Sequence, residues 1–133
     1  MNKAVFFDRD GTVIEDVGYL SEEKDISLID GAAEAVHNLK KAGFKTVMIT
    51  NQAAIARGII TEDRFEQINS QILSRFSRLG ADFDGVYYCP HHTKGLEPYN
   101  VLCDCRKPAP GLILKAAREH DIDLSMSYMI GDK

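Results

Sequence analysis

The chain has 133 residues, 44% hydrophobic and 27% charged, the balance of a soluble globule of common single-domain size. This excludes a disordered tail, a collagen-like fibre and a coiled coil, and no apolar run approaches the roughly 20 residues of a membrane-spanning helix. Twenty acidic residues against sixteen basic ones leave a net charge of −4. A general nucleic-acid binder is thereby excluded, whereas a local cationic cluster can still face a small anionic substrate. The first residues lack the apolar core of a secretion signal, so a cytoplasmic location with no membrane partner is expected.

In chain order, Ala4–Phe7 is the first near-continuous apolar run, followed by Thr46–Thr50, Gly85–Tyr88 and Tyr128–Ile130. Such runs predict strands covered on both faces. Helical spacing fills the intervals. Gly31–Ala42 carries Ala33, Val36 and Leu39 on one face and stops before Gly43, a residue suited to the turn after a helix. Thr61–Leu79 places Phe65, Ile68, Ile72, Phe76 and Leu79 at steps of three and four, with Thr61 as cap and Glu62 and Asp63 in the first turn. Pro110–Glu119 begins with Pro at the first helical position and carries Leu112, Ile113, Ala116 and Ala117. This alternation predicts an α/β fold around a parallel sheet with right-handed crossovers. Asp10–Leu28 and His91–Leu102 do not fit the pattern and read as long functional loops.

The first strand runs directly into Asp8-Arg9-Asp10-Gly11-Thr12. Residues two apart in extended chain point to one side, so Asp8 and Asp10 are expected to project together at the carboxyl end of a buried strand. Two neighbouring carboxylates repel unless a cation or proton intervenes. A hard cation such as Mg²⁺ answers that need and suits phosphate-bearing substrates. Asp-Gly-Thr alone would mark only a turn. Three further pieces follow in order: Thr50-Asn51 ends the second strand, Arg106-Lys107-Pro108 precedes the last helix, and Gly131-Asp132-Lys133 ends the fourth strand. Together they bring donors, cations and a third carboxylate to neighbouring strand ends, as a phosphoryl-transfer site requires.

These motifs, from Ala4 to Lys133, resemble those of the haloacid-dehalogenase-like (HAD-like) phosphatases. Within them, Thr50-Asn51-Gln52-Ala53-Ala54-Ile55-Ala56-Arg57-Gly58, Cys89-Pro90-His91-His92 and Cys103-Asp104-Cys105-Arg106-Lys107-Pro108 resemble the D-glycero-D-manno-heptose 1,7-bisphosphate phosphatases, with the histidinol-phosphate phosphatases next. The resemblance implies a three-layer, Rossmann-like fold with a central parallel sheet and no large cap domain. It implies Mg²⁺-dependent removal of the C7 phosphate of a heptose bisphosphate, in the supply of ADP-heptose for lipopolysaccharide. Asp8 would be the nucleophile and Asp10 the acid and base. Thr50 and Lys107 would stabilise the transferring phosphoryl group. Mg²⁺ would be held by Asp8, the Asp10 main-chain carbonyl and Asp132. Substrate contacts would come from Asp16, Val17, Gly18, Tyr19, Thr50, Asn51, Gln52, Ala53, Arg106, Lys107 and Lys133. Arg9 and Arg57 are weaker candidates for a distant phosphate, balanced against solvated or salt-bridged roles.

Three cysteines in a chain without a secretion signal point to metal or redox chemistry before disulfides. Cys89, His91, Cys103 and Cys105 form a closed tetrahedral donor set for structural Zn²⁺, bracketing a loop over residues 89–105. Their single-residue spacing is weakly specific, and the family pattern strengthens it. His92 reads as an ordinary loop residue, and His37 and His120 as surface residues of helices. The expected organisation is one phosphatase domain over residues 1–133, lacking a C-terminal strand and helix. The whole enzyme is expected to be a monomer, whereas the truncated form could associate through its sheet edge. The competing readings are a histidinol-phosphate phosphatase and a catalytically impaired phosphate- or metal-binding fragment.

Overall fold

The computed structural model describes residues 1–101, 103, 105, 107 and 110–131. The expectations for Arg106, Asp132 and Lys133 fall outside the described residues. The elements are β1 (Ala4–Phe7), α1 (Ala32–Lys41), β2 (Lys45–Asn51), α2 (Ala53–Ala56), α3 (Glu62–Arg78), β3 (Gly85–Cys89), α4 (Gly111–His120) and β4 (Tyr128–Ile130). All four strands are parallel, in the order β3-β2-β1-β4. No helix among the described residues is long and apolar enough to cross a membrane.

The apolar runs lack strict alternation because β1 and β2 are covered on both faces. Val5, Phe7 and Met48 pack with Val36 of α1 and with Phe65, Ile68, Ile72 and Phe76 of α3. Ala4, Phe6, Val47 and Ile49 face the other way, against Leu112 and Ala116 of α4. The result is three layers, helix, sheet and helix. Thr61 caps α3 by accepting a hydrogen bond from the Arg64 amide at 3.1 Å, and Gly80 follows the helix at φ 77°, as its sequence predicts.

Several expectations need correction. The Tyr128–Ile130 strand is not covered on both faces: its residues are 65%, 45% and 43% exposed. It lies at one edge of the sheet, and among the described residues it pairs with β1 alone. Leu79 is exposed rather than part of the apolar stripe of α3, because the helix ends at Arg78 and Leu79 is its cap. Helix α4 starts at Gly111, with Pro110 as its cap rather than its first residue. The Asp10–Leu28 segment carries one short 3₁₀ turn, Glu23–Asp25, and buries Val13, Ile14, Leu20 and Ile26 in the core. Isolated bridges from Ile14 to Asp10 and Leu28 fold it back onto itself. Helix α2 is unanticipated, since one turn is too short to show a period.

Asp84, just ahead of β3, ties three elements together. Its carboxylate meets Lys40 Nζ of α1 at 2.9 Å and accepts from the Thr46 amide of β2 at 2.8 Å. Burial acts to raise its pKa, but the Thr46 amide and the Lys40 ammonium outweigh it, and the group ionises below the ordinary 3.8. A depressed carboxylate pKa contributes stability above the unfolded-state value and loses it as pH falls through the folded-state value. The stability advantage of the wild type over Asp84→Asn should therefore be present at neutral pH and shrink as pH falls below the ordinary carboxylate value, as read by urea unfolding at neutral and acidic pH. Phe76 is fully buried and meets the Phe83 ring edge-on, with centroids 5.4 Å apart. Phe76→Ala should destabilise the chain by about 3–5 kcal/mol in the same measurement.

Candidate active site and cysteine–histidine cluster

The strand order places β1 between β2 and β4, so the chain progresses outward on one side and then returns to the other. Open α/β sheets bind ligands at the carboxyl ends of strands where the order reverses. Asp8 directly follows β1 there, and its amide extends the strand pairing by donating to the Ile130 carbonyl at 2.9 Å. The chain then turns sharply. The amides of Thr12, Val13 and Ile14 all point to the Arg9 carbonyl at 3.0–3.3 Å, and Gly11 takes φ 84°, a conformation glycine adopts without strain.

Asp8 and Asp10 both line one cavity of about 780 Å³. Their charges are met separately. Lys107 Nζ lies 2.8 Å from Asp8 Oδ1. Arg9 grips Asp10 with two bonds, Nη2 to Oδ1 at 3.1 Å and Nε to Oδ2 at 3.2 Å. The Arg9 side chain is 2% exposed, so it is neither solvated nor a surface ion pair. Gln52 Nε2 donates both to Asp10 Oδ2 at 3.1 Å and to Thr50 Oγ1 at 2.8 Å. The end of β4 abuts the same place: a Cβ on Gly131 would lie 3.5 Å from Asp8 Cβ.

Lys107 reaches the cavity because its backbone is bracketed. Its amide donates to Asn51 Oδ1 at 2.8 Å, and Asn51 Nδ2 donates to its carbonyl at 3.2 Å. Asn51 closes β2 opposite Cys89 of β3. Asp16, Gly18, Tyr19, Thr50, Gln52 and Ala53 also line the cavity, whereas Val17 and Arg57 do not. Asp16 Oδ1 accepts from the Gly18 amide at 2.9 Å, which shapes that edge. Leu20, Ala54, Ile113 and Met129 line it without having been anticipated, as apolar residues carry no chemical signal. Asn69 was also missed. It is 5% exposed, and its Oδ1 accepts from Arg9 Nη1 at 3.3 Å. A polar side chain in the apolar stripe of α3 was the signal that could have found it.

Cys89, His91, Cys103 and Cys105 converge next to this cavity, with their donor atoms all within 4.8 Å of one another. His91 Nδ1 is 3.3 Å from Cys105 Sγ, and Cys103 Sγ is 3.2 Å from Cys105 and 3.4 Å from Cys89. The Cys89 and Cys105 sulfurs are in direct contact, with Cα atoms 5.4 Å apart, a separation compatible with a disulfide. Such a pairing involves two of the four convergent donors. The loop that the four donors bracket packs on α2: the Leu96 amide donates to the Ala56 carbonyl. Only glycine fits at position 95, where a Cβ would lie 2.6 Å from Ala56 Cβ.

The family model for polynucleotide kinase 3 phosphatase matches residues 3–133. The chain is 48% identical over 133 residues to the D-glycero-β-D-manno-heptose-1,7-bisphosphate 7-phosphatase of Pasteurella multocida, covering all of this chain and 72% of that protein. A structure from Mesorhizobium loti, described as of a HAD-like phosphatase, superposes at a TM-score of 0.95 with 34% identity, over 99% of this chain and 64% of that one. The D,D-heptose 1,7-bisphosphate phosphatase of B. bronchiseptica, solved with magnesium and phosphate, superposes at 0.85 with 29% identity, over 98% and 70%. A HAD-like α/β fold, a carboxylate pair at its switch point and close kinship with these enzymes lead to one conclusion: the chain belongs to the polynucleotide kinase 3 phosphatase family and, within it, to the heptose-1,7-bisphosphate 7-phosphatases.

Proposed function

We propose that this chain is a phosphoric monoester hydrolase that removes the C7 phosphate of D-glycero-D-manno-heptose 1,7-bisphosphate. The observation that carries this reading is the convergence of Asp8, Asp10, Thr50 and Lys107 on one cavity, in a chain 48% identical to a protein of that name. An Asp8 carboxylate oxygen attacks phosphorus, and the bond from phosphorus to the sugar oxygen breaks. Asp10 delivers a proton to that leaving oxygen. In the second half, water attacks the aspartyl-phosphate, Asp10 takes its proton, and Asp8 and inorganic phosphate are released. Thr50 Oγ1 and Lys107 Nζ engage the phosphoryl oxygens, so Lys107 exchanges its contact with Asp8 for one shared with the substrate.

The oxygen-only donors at this site, the Asp8 carboxylate and the Asp10 main-chain carbonyl, fit a hard divalent cation. Asp132 would complete the set by family resemblance. Magnesium bound there would neutralise charge on the transferring phosphoryl group. Arg106 and Lys133 are assigned to the substrate on the same resemblance, together with Asp16, Val17, Gly18, Tyr19, Asn51, Gln52 and Ala53. The reading also implies a cytoplasmic enzyme in the supply of activated heptose for lipopolysaccharide.

Phosphate release from the heptose bisphosphate, histidinol phosphate and simple sugar monophosphates, with Mg²⁺ present, tests the assignment. The bisphosphate should have the highest kcat/KM, and Asp8→Asn should lower turnover by about a thousandfold or more without unfolding the chain. Faster release from histidinol phosphate would reassign the substrate.

Cys89, His91, Cys103 and Cys105 are proposed to hold structural Zn²⁺. Four convergent donors of three thiols and one imidazole support zinc over a disulfide, which leaves Cys103 and His91 packed against it to no purpose. The ion would fix the segment that delivers Lys107. Metal analysis should find about one zinc per chain, and Cys103→Ser should lose it and lower the melting temperature. A metal-free protein with one reactive thiol, whose count rises to three on reduction, would instead establish the disulfide.

A further inference from the structure

Asn69 stands apart from the chemistry. It lies in the middle of α3 among Phe65, Ile68 and Ile72 and is not among the residues lining the cavity. Burying an amide in an apolar stripe is costly unless it is hydrogen-bonded, and a leucine would fit the helix period better. The amide oxygen of Asn69 accepts from Arg9 Nη1 at 3.3 Å.

Arg9 in turn has each arm committed. Nε and Nη2 hold the two oxygens of Asp10, Nη2 also donates to Gln52 Oε1 at 3.3 Å, and Nη1 goes to Asn69. The Phe65 ring, from one turn earlier on α3, lies 5.2 Å from the guanidinium carbon. A planar guanidinium pinned at its far arm and by a ring can hold a carboxylate in one plane. Free at that arm, it can turn about its own bonds and take the carboxylate with it.

We infer that Asn69 is a positioning residue for the proposed acid–base group: through Arg9 it fixes the plane of the Asp10 carboxylate from helix α3. This rests on the phosphatase reading above for the role of Asp10, but the restraint on Arg9 does not. The relay runs Asn69, Arg9, Asp10, and its first member stands outside the cavity. Proton transfer to the leaving oxygen depends on where the Asp10 oxygen points, whereas bond breaking to a leaving group that departs as a stable anion does not. Loss of Asn69 should therefore discriminate between leaving groups.

The test uses Asn69→Leu, close in size, and Asn69→Ser, which stays polar but is too short to reach Arg9, each checked for folding by thermal unfolding. kcat/KM covers only the steps through leaving-group departure. It should fall about tenfold on a sugar monophosphate, whose alkoxide needs a proton, and stay within about twofold on p-nitrophenyl phosphate. An equal fall on both esters, or no fall on either, overturns the inference. Side-chain NMR of Arg9, assigned by its absence in Arg9→Lys, reads the restraint without turnover. Its Nη protons should be resolved in the wild type and averaged in both Asn69 variants. Unchanged Arg9 signals overturn the inference even if the enzyme is active. A wild type that hydrolyses neither ester, with the Arg9 signals altered as expected, removes the phosphatase reading and leaves the restraint in place.

Discussion

Two carboxylates held two residues apart at the end of a buried strand repel each other, and the surroundings of the site are organised around that repulsion. The fold meets it with two separate cations. Lys107 pairs with Asp8 and arrives from the loop before α4, while Arg9, between the two acids in sequence, turns inward to pair with Asp10. The two pairs differ in character. The Lys107 ammonium is a compact charge on a flexible stem, able to shift toward an incoming anion. Arg9 is a planar fork, buried and hydrogen-bonded at each arm, and suits a group whose orientation has to persist.

Each cation is supported by a different layer of the fold. Lys107 depends on β2 and β3, because Asn51 brackets its backbone and the Cys89 cluster lies two residues upstream at Cys105. Arg9 depends on α3, through Asn69 and Phe65. The first support can be changed by whatever binds or oxidises the sulfurs. The second is packed into the larger apolar cluster and has no comparable chemical handle. The nucleophile side of the site is thus coupled to the cysteine–histidine loop, and the acid–base side to the core.

That loop also bears on the cavity wall from behind. The Leu96 amide donates to the Ala56 carbonyl, and the bare Gly95 backbone lies against Ala56 at the end of the single turn that begins with Ala53. Ala53 and Ala54 face the cavity. One loop therefore sets both a charge at the phosphate end and the position of a short wall segment, which is how a chain of this length can shape a pocket from loops.

The sequence by itself determined the layered α/β fold, the strand-end position of Asp8 and Asp10, the cap of α3 and the meeting of four metal-type donors. These are local or periodic properties: apolar runs, steps of three and four, and motifs at strand ends all survive projection onto one dimension. Tertiary structure decided what depends on neighbours distant in sequence. Arg9 reads equally well as solvated or buried until α3 is packed over it, and Asn69 reads as a polar break in an apolar stripe, with no partner identified, until Arg9 reaches it from 60 positions away. The exposure of β4 follows from its place at the edge of the sheet, whereas its composition is that of a covered strand. The separate neutralisation of the two carboxylates was illegible for the same reason. A residue's charge is written in the sequence, but its counter-charge is fixed only when the chain has closed around it.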